Sequence, residues 1–349
     1  MRAAFLKSEG RLVLAEVAMP TIQATDQVLI QTRAVGICGS EVHAFEGIHP
    51  YRKAPVILGH EASGVVADAG QDVTRFRVGD RVIVDPQRTC GECAYCRAGD
   101  INLCPSKQVL GTPLWPGAFG EYFIAPEEAV FYLPEGLSFL QGSLIEPLAV
   151  AAHIARRAGV QPGQSVAILG AGSIGGLVSA VCRVHGANPI IVADIRQHCL
   201  DAARERLGAT HDLLLPDGNL VDRVKGLAGG EGVDVAFVTA DEPALVNRAV
   251  EMVRRRGKVM LIALLTESRL ALKAYDIIGQ EKQILGSNMA NYRDVQQAIE
   301  WAAAGRVDLE GINTHVLPIE EAQRGMELAH TKDDGAIKVV LSFDRLTRP

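Results

Sequence analysis

The chain has 349 residues, of which 48% are hydrophobic and 22% charged, with a formal net charge of −6. That length exceeds what one hydrophobic core usually supports, so two folded domains are expected rather than disorder or a repeat array. Lys and Arg are scattered along the sequence instead of massed on one segment, which removes the electrostatic footing for a nucleic-acid partner.

The opening stretch, "MRAAFLKSEGRLVLAEV", lacks the apolar core of a secretory signal. The longest charge-free apolar run, "VAILGAGSIGGLVSAVC" at residues 166–182, carries four glycines, which predict a strand, a turn and a helix instead of a membrane span. A cytoplasmic protein with no membrane partner is expected. From the start to about residue 140, short β-type runs such as "QVLIQTRAVG" and "SGVVADAG" are broken by Gly, Pro and Asp at close spacing. They predict an antiparallel, barrel-like domain. "VGDRVIVDP" fits it, with Gly79 and Asp80 in a turn and "RVIV" as a strand.

Three stretches of this first part carry chemistry. "GICGSEVH", residues 36–43, brings Cys38, Ser40 and His43 into one short turn. "GHE" supplies His60 and Glu61, and further on Glu146 sits in "LIEPLAV", where a carboxylate amid apolar neighbours requires a cation or strong hydrogen bonds. Cys38, His60 and one carboxylate form a mixed three-donor set with a position left open, as expected of a catalytic zinc; spacing does not rank Glu61 against Glu146. Between them lies "CGECAYCRAGDINLC", with Cys90, Cys93, Cys96 and Cys104. Four of seven cysteines within fifteen residues is poor disulfide arithmetic and good metal arithmetic. A closed set of four thiolates predicts a structural zinc, with an iron–sulfur cluster as the alternative.

From about residue 145 the texture changes to alternating strands and helices. "SVAILGAG", "PIIVADI", "VDVAFVTA" and "KVMLIA" read as strands, and "IGGLVSAVCRVHG", "HCLDAARERLG" and "PALVNRAVEMV" as the helices between them. This is an α/β, doubly wound parallel sheet. "GAGSIG" places Gly170, Gly172 and Gly175 around Ser173 and Ile174 after a strand and before a helix, and Asp194 ends the next strand. That is the fingerprint of dinucleotide binding: pyrophosphate against the turn, Asp194 on the ribose hydroxyls. The carboxylate disfavours the extra phosphate of NADP and points to NAD, while Arg196 leaves room for dual use. After about residue 287 come a helix, "DVQQAIEWAAAG", and a last strand, "AIKVVLSF".

Taken in order, "GICGSEVH", "GHE", "VGDRV", "CGECAYCRAGDINLC", "GAFGEY", "EPLAV" and "GAGSIG" closely resemble the zinc-dependent medium-chain alcohol dehydrogenases over nearly the whole chain. Glutamate in "EPLAV" is similar to the polyol, threonine and sugar-acid dehydrogenase branch, where simple alcohol dehydrogenases usually carry cysteine. The resemblance implies a GroES-like β-barrel catalytic domain over residues 1–147, a Rossmann domain over 148–287, and a tail, 288–349, that rejoins the catalytic domain. It implies that Cys38 binds the catalytic zinc, that Ser40 bonds the substrate alcohol, and that His43 ends a proton path to solvent. It further implies oxidation of a small hydroxylated substrate by NAD in a homo-oligomer, dimer or tetramer. Threonine oxidation and a non-catalytic nucleotide-binding relative are the alternatives. Ala44 stands where animal-type sorbitol dehydrogenases tend to have tyrosine, so sorbitol itself is not carried over. Trp115, Phe119 and "SNMANYR", residues 287–293, are expected to line the pocket.

Overall fold

The computed structural model describes residues 1–264 and 270–344. The backbone divides into two compact units. The first comprises Met1–Glu146, Asn291–Ala304 and the described residues from Asn313 onward; the second comprises the described residues of Pro147–Ala290 together with Gly305–Ile312. The tail expected over 288–349 is therefore interrupted, because Gly305–Ile312 clusters with the second unit, and the last five residues of that tail lie outside the described residues.

In the first unit the strand Gln27–Gly36 is the organiser. Its burial is nearly continuous, as a strand covered on both faces requires. It pairs antiparallel with Glu61–Ala69, with Tyr122–Pro126 and with the late strand Lys338–Ser342. Arg81–Val84 and Val130–Tyr132 extend the sheet on one side, and Asn313–Pro318 closes the other by pairing parallel to Lys338–Ser342. That parallel pair departs from the antiparallel expectation. It is possible because the helix Ala322–Thr331 supplies the crossover that parallel neighbours need. A smaller sheet of Arg2–Ser8, Arg11–Glu16 and Val56–Ile57 completes the layer. The core between them holds Ile30, Val35, Leu58, Phe119 and Met326.

One register decides where the chemistry sits. Gly36 pairs with Glu61 on one side and with Val340 on the other. In an antiparallel ladder that brings Cys38, two residues past Gly36, alongside Lys338, two residues before Val340. The Ile37 N–H donates to the Val339 carbonyl at 2.9 Å and seals the junction. A Cβ at Gly36 would lie 2.1 Å from Glu61 Oε2, so the absence of a side chain there leaves the carboxylate its place.

The second unit is a six-stranded parallel sheet among the described residues. From edge to edge run His211–Leu214, Ile190–Asp194, Val166–Leu169, Val233–Val238, Val253–Leu261 and Gln283–Gly286. Strand order reverses beside Val166–Leu169, the position at which doubly wound sheets open a ligand crevice. The outer strands His211–Leu214 and Gln283–Gly286 are short and were not anticipated. Their four residues each carry little period-2 signal.

Candidate active site and metal centres

The four-cysteine loop folds around one point. Cys93 caps the single-turn helix Ala94–Arg97, and its sulfur accepts from the Cys96 N–H at 3.4 Å. The sulfur of Cys96 lies 3.4 Å from that of Cys93 and 3.9 Å from that of Cys90, and Cys90 and Cys104 are 3.6 Å apart. A tetrahedron with metal–sulfur bonds of about 2.3 Å has edges of about 3.8 Å, so the donor set fits zinc. The Glu92 and Cys93 backbone amides draw the Cys90 thiol down to about 7, which favours the thiolate that a metal needs. Among the described residues no fifth donor joins the group, and four thiolates leave no place for substrate. Cys93→Ser should cost one zinc per chain and lower the melting temperature by about 5 °C or more, while the folded fraction keeps its turnover. Metal analysis beside calorimetry checks this; full stability with unchanged zinc would refute a structural role.

The second group is buried in the first unit. His60 is shared by two overlapping sets whose donor atoms lie within 4.8 Å of one another: Cys38 with Glu41 and His60, and His60 with Glu61 and Glu146. Cys38 is the N-cap of the helix Gly39–Phe45, and the Glu41 carboxylate turns back to accept from the Cys38 N–H at 2.9 Å. The same carboxylate hydrogen-bonds His60 Nδ1, orienting the imidazole from its far side. Arg52 lies behind it, 3.5 Å from Glu41 Oε1, and donates to the Leu110 and Gly111 carbonyls at 3.0 and 2.9 Å. Burial alone would raise the Glu41 carboxyl. His60 and Arg52 outweigh it and hold the group below its ordinary range.

Opposite, Lys338 grips Glu61. Its ammonium is 2.7 Å from Oε1 and 2.6 Å from Oε2, and it donates to the Ile37 carbonyl at 3.1 Å. Burial pushes the Glu146 carboxyl up to about 7, although His60 and Lys338 pull the other way. With Cys38 as thiolate, the acids Glu41, Glu61 and Glu146 bring the cluster to four negative charges against the positive charges of Arg52 and Lys338. The excess of two is what a divalent cation neutralises, so this donor set also fits zinc.

Glu41, Arg52 and Lys338 were not singled out from sequence. Glu41 occupies the third helical position after Cys38, the capping-box position, and that spacing was a readable signal. Ser40 and His43 share a face of the same helix at i, i+3. The Ser40 hydroxyl is buried and has no hydrogen-bond partner among the described residues. Trp115 lines a cavity with Leu114, Tyr122 and Phe123. Phe119 is fully buried in the core, and Trp115 donates its indole N–H to the Ile124 carbonyl at 2.7 Å. Of "SNMANYR", Asn291 caps the helix Tyr292–Ala303, and Tyr292 packs on Phe131 with ring centroids 5.7 Å apart. A glycine-flanked aromatic in a barrel serves the core more readily than a cleft.

In the second unit, the turn after Val166–Leu169 has the form that phosphate approach demands. Gly170 N–H donates to the Ala193 carbonyl at 2.8 Å, tying adjacent strand ends together. A Cβ on Gly175 would stand 1.8 Å from the Gly170 carbonyl oxygen, so only glycine lets the helix Ser173–Val184 start there. Gly172 caps that helix, and Ser173 and Ile174 are its half-buried first residues. Asp194 Oδ2 accepts from the Ala171 N–H at 2.6 Å and Oδ1 from the Arg196 N–H at 2.8 Å.

These features define a dehydrogenase class, and comparison with known proteins agrees. Residues 24–135 match the alcohol dehydrogenase GroES-like domain, and residues 173–304 match the zinc-binding dehydrogenase domain. The chain belongs to the zinc-dependent medium-chain alcohol dehydrogenase superfamily. It is 37% identical to the sorbitol dehydrogenase of Bacillus subtilis (strain 168), over 99% of this chain and 98% of that protein. It is 32% identical to D-xylulose reductase A of Aspergillus niger, over 92% of this chain and 91% of that protein. The alcohol dehydrogenase of Thermus sp. ATN1 superposes with a TM-score of 0.91 at 30% identity, covering 98% of this chain and 99% of that one. Within the superfamily the chain falls in the polyol branch, as an NAD-dependent, zinc-containing oxidoreductase. No described helix is long and apolar enough to cross a membrane.

Proposed function

We propose that this enzyme oxidises a secondary alcohol of a polyol, sugar acid or related hydroxylated small molecule to the ketone, with hydride passing to NAD. The observation that carries the reading is the pair of overlapping donor sets that share His60, with the orphaned Ser40 hydroxyl two residues from Cys38. In this reading Cys38, His60 and a carboxylate, Glu61 or Glu146, hold the catalytic zinc, and Cys90, Cys93, Cys96 and Cys104 hold the structural one. A zinc held there would supply Lewis acidity toward the substrate hydroxyl, and NAD held by the second unit would be the hydride acceptor. Ser40 Oγ accepts the substrate's hydroxyl proton while giving up its own, and His43, on the same helix face, passes a proton on toward water. Glu41 keeps the His60 ring in its tautomer and orientation. The first unit carries this chemistry, and the second carries the cofactor at Gly170, Gly172, Ser173, Ile174, Gly175, Asp194 and Arg196.

A panel of polyols, sugar acids and L-threonine, mixed with NAD and followed by NADH absorbance, tests the reading. Turnover of a polyol or sugar acid supports it; turnover of threonine alone, or of nothing, overturns it. Cofactor choice gives a second measurement. Asp194→Ala removes the acceptor of the ribose hydroxyls and the repulsion of a 2′-phosphate, so the NAD-over-NADP ratio in kcat/KM should fall by about tenfold to a hundredfold. A native enzyme that already prefers NADP contradicts this role.

The reading extends to a cytoplasmic homo-oligomer, dimer or tetramer. None of the seven cysteines forms a disulfide, as in a reducing compartment. Tyr275 and Ile278 on the second unit and Leu114 on the first are 85%, 76% and 77% exposed, apolar surface of the kind that subunits cover. Sedimentation of the native enzyme tests the assembly.

A further inference from the structure

The first unit holds a cavity of about 570 Å³ that no residue of the His60 cluster or of the four-cysteine set lines. Small-molecule sites span about 300–1,000 Å³, so the size is suitable. Its walls are fixed by the backbone. The Val17 N–H donates to the Met1 carbonyl at 2.9 Å, Thr112 and Trp115 exchange hydrogen bonds of 3.1 Å across a tight turn, and the Gly117 N–H donates to the Ile57 carbonyl at 2.8 Å. Ile57, Trp115, Phe123 and Ile124 give it an apolar lining, and the Trp115 indole N–H is occupied by the Ile124 carbonyl.

The polar groups of the lining answer one another, with one exception. Gln27 Oε1 accepts from the Gln23 and Ala24 N–H groups at 2.8 and 3.1 Å, Gln23 Nε2 donates to Thr21 Oγ1 at 2.6 Å, and the Met1 ammonium donates to the Val17 carbonyl at 2.8 Å. The Arg88 guanidinium has no hydrogen bond or ion pair among the described residues, and no carboxylate lines the cavity. Its backbone is held, since the strand Gln87–Arg88 pairs with Gln108–Val109. An apolar recess with one unanswered cation in its wall matches a molecule of complementary make: an anionic head that a guanidinium can grip by two bonds, and an apolar body. A second copy of the chain matches less well. A two-fold contact on this surface would bring two Arg88 side chains together and supply no carboxylate from the lining.

We propose that this cavity is a second ligand site, for a small amphipathic carboxylate, with the head on Arg88 and the body against Ile57, Trp115 and Phe123. The site is independent of the alcohol chemistry and of the cofactor turn.

Trp115 is a reporter inside its own cavity. The chain has two tryptophans, so Trp301→Phe leaves Trp115 as the lone indole. In that variant, loaded with zinc and NAD, octanoate carrying a terminal bromine should quench the indole emission by contact, and plain octanoate should reverse the quenching. The matching bromo-alcohol and bromo-amine should need about tenfold higher concentration or more. Arg88→Met should weaken the bromo-octanoate about tenfold and leave the bromo-alcohol curve in place, with Arg88→Lys between the two. Equal quenching by all three head groups, or no change in Arg88→Met, overturns the assignment and leaves plain apolar surface. Absence of quenching at millimolar concentration overturns it as well. Quenching that appears only when dilution dissociates the native assembly, as read by sedimentation, shows that another subunit fills the cavity and also overturns it. Should Trp301→Phe not fold, calorimetric titration of octanoate into the native protein and into Arg88→Met decides: one binding event should vanish in the variant, and its persistence refutes the site. Arg88 is exposed and its side chain holds no partner among the described residues, so that replacement leaves the fold intact.

Discussion

Ser40→Ala should lower kcat by about a hundredfold to ten-thousandfold while zinc content and fold stability stay at native values. The two halves of this expectation have one origin. The Ser40 hydroxyl is buried yet unpartnered among the described residues, so deleting it breaks no bond that holds the fold. What is lost is an acceptor for the substrate proton, two residues from Cys38 at the start of the helix Gly39–Phe45. Steady-state kinetics beside metal analysis and thermal unfolding checks both halves. Near-native kcat removes Ser40 from the proton path; a large drop in stability makes it a structural residue. His43→Ala should be milder, about tenfold to a hundredfold, because water partly replaces a group that exchanges protons with solvent, and small amine buffers should return part of the rate.

Glu41→Ala should be the most damaging single change to the fold itself, costing about 3–5 kcal/mol of stability. It strips the counterion from Arg52, which is 2% exposed and would keep only the Leu110 and Gly111 carbonyls as partners. It also frees His60 Nδ1 and the Cys38 N–H, which should weaken zinc retention by about tenfold to a hundredfold. Glu41→Gln separates the effects in part, since the amide fills the same space and loses the charge but can accept only through its one oxygen, from Cys38 N–H or from the Arg52, Gly59 and His60 side. The pH dependence has a definite sign. A carboxyl held below its ordinary 4.5 contributes fully above that pH, and the contribution drains away as pH falls beneath it. Acid unfolding of the wild type should therefore be steeper than that of Glu41→Gln. Denaturant titration within about 1 kcal/mol of wild type for Glu41→Ala would show that Arg52 finds another counterion.

Local chemistry was readable in the sequence, and long-range electrostatics was not. The four cysteines are neighbours in space because they are neighbours in the chain, within one fifteen-residue loop. The glycine turn is readable for the same reason, since strand, turn and helix follow one another without interruption. The parallel sheet showed through its apolar runs, whereas its short edge strands carry too few residues for a pattern. Lys338 is different in kind: it meets Glu61 across 277 positions, and nothing near "AIKVVLSF" marks its lysine as buried. Arg52 is hidden likewise, because its partners lie 11, 58 and 59 residues away.

The pairing of Gly36 with both Glu61 and Val340 also sets an order of assembly. The four-cysteine loop closes on contacts of short sequence separation, so it is complete as soon as Cys104 has been synthesised and can take up its metal on a nascent chain. The His60 cluster waits for Lys338, near the end of the chain, to dock against a strand made some three hundred residues earlier. Contacts of that separation form late, after the loop-closure entropy has been met. Until then Glu61 and Glu146 share one pocket with no ammonium between them. Docking of the last strand therefore does two things at once: it closes the sheet and brings an ammonium to carboxylates whose oxygens lie within 4.8 Å of each other.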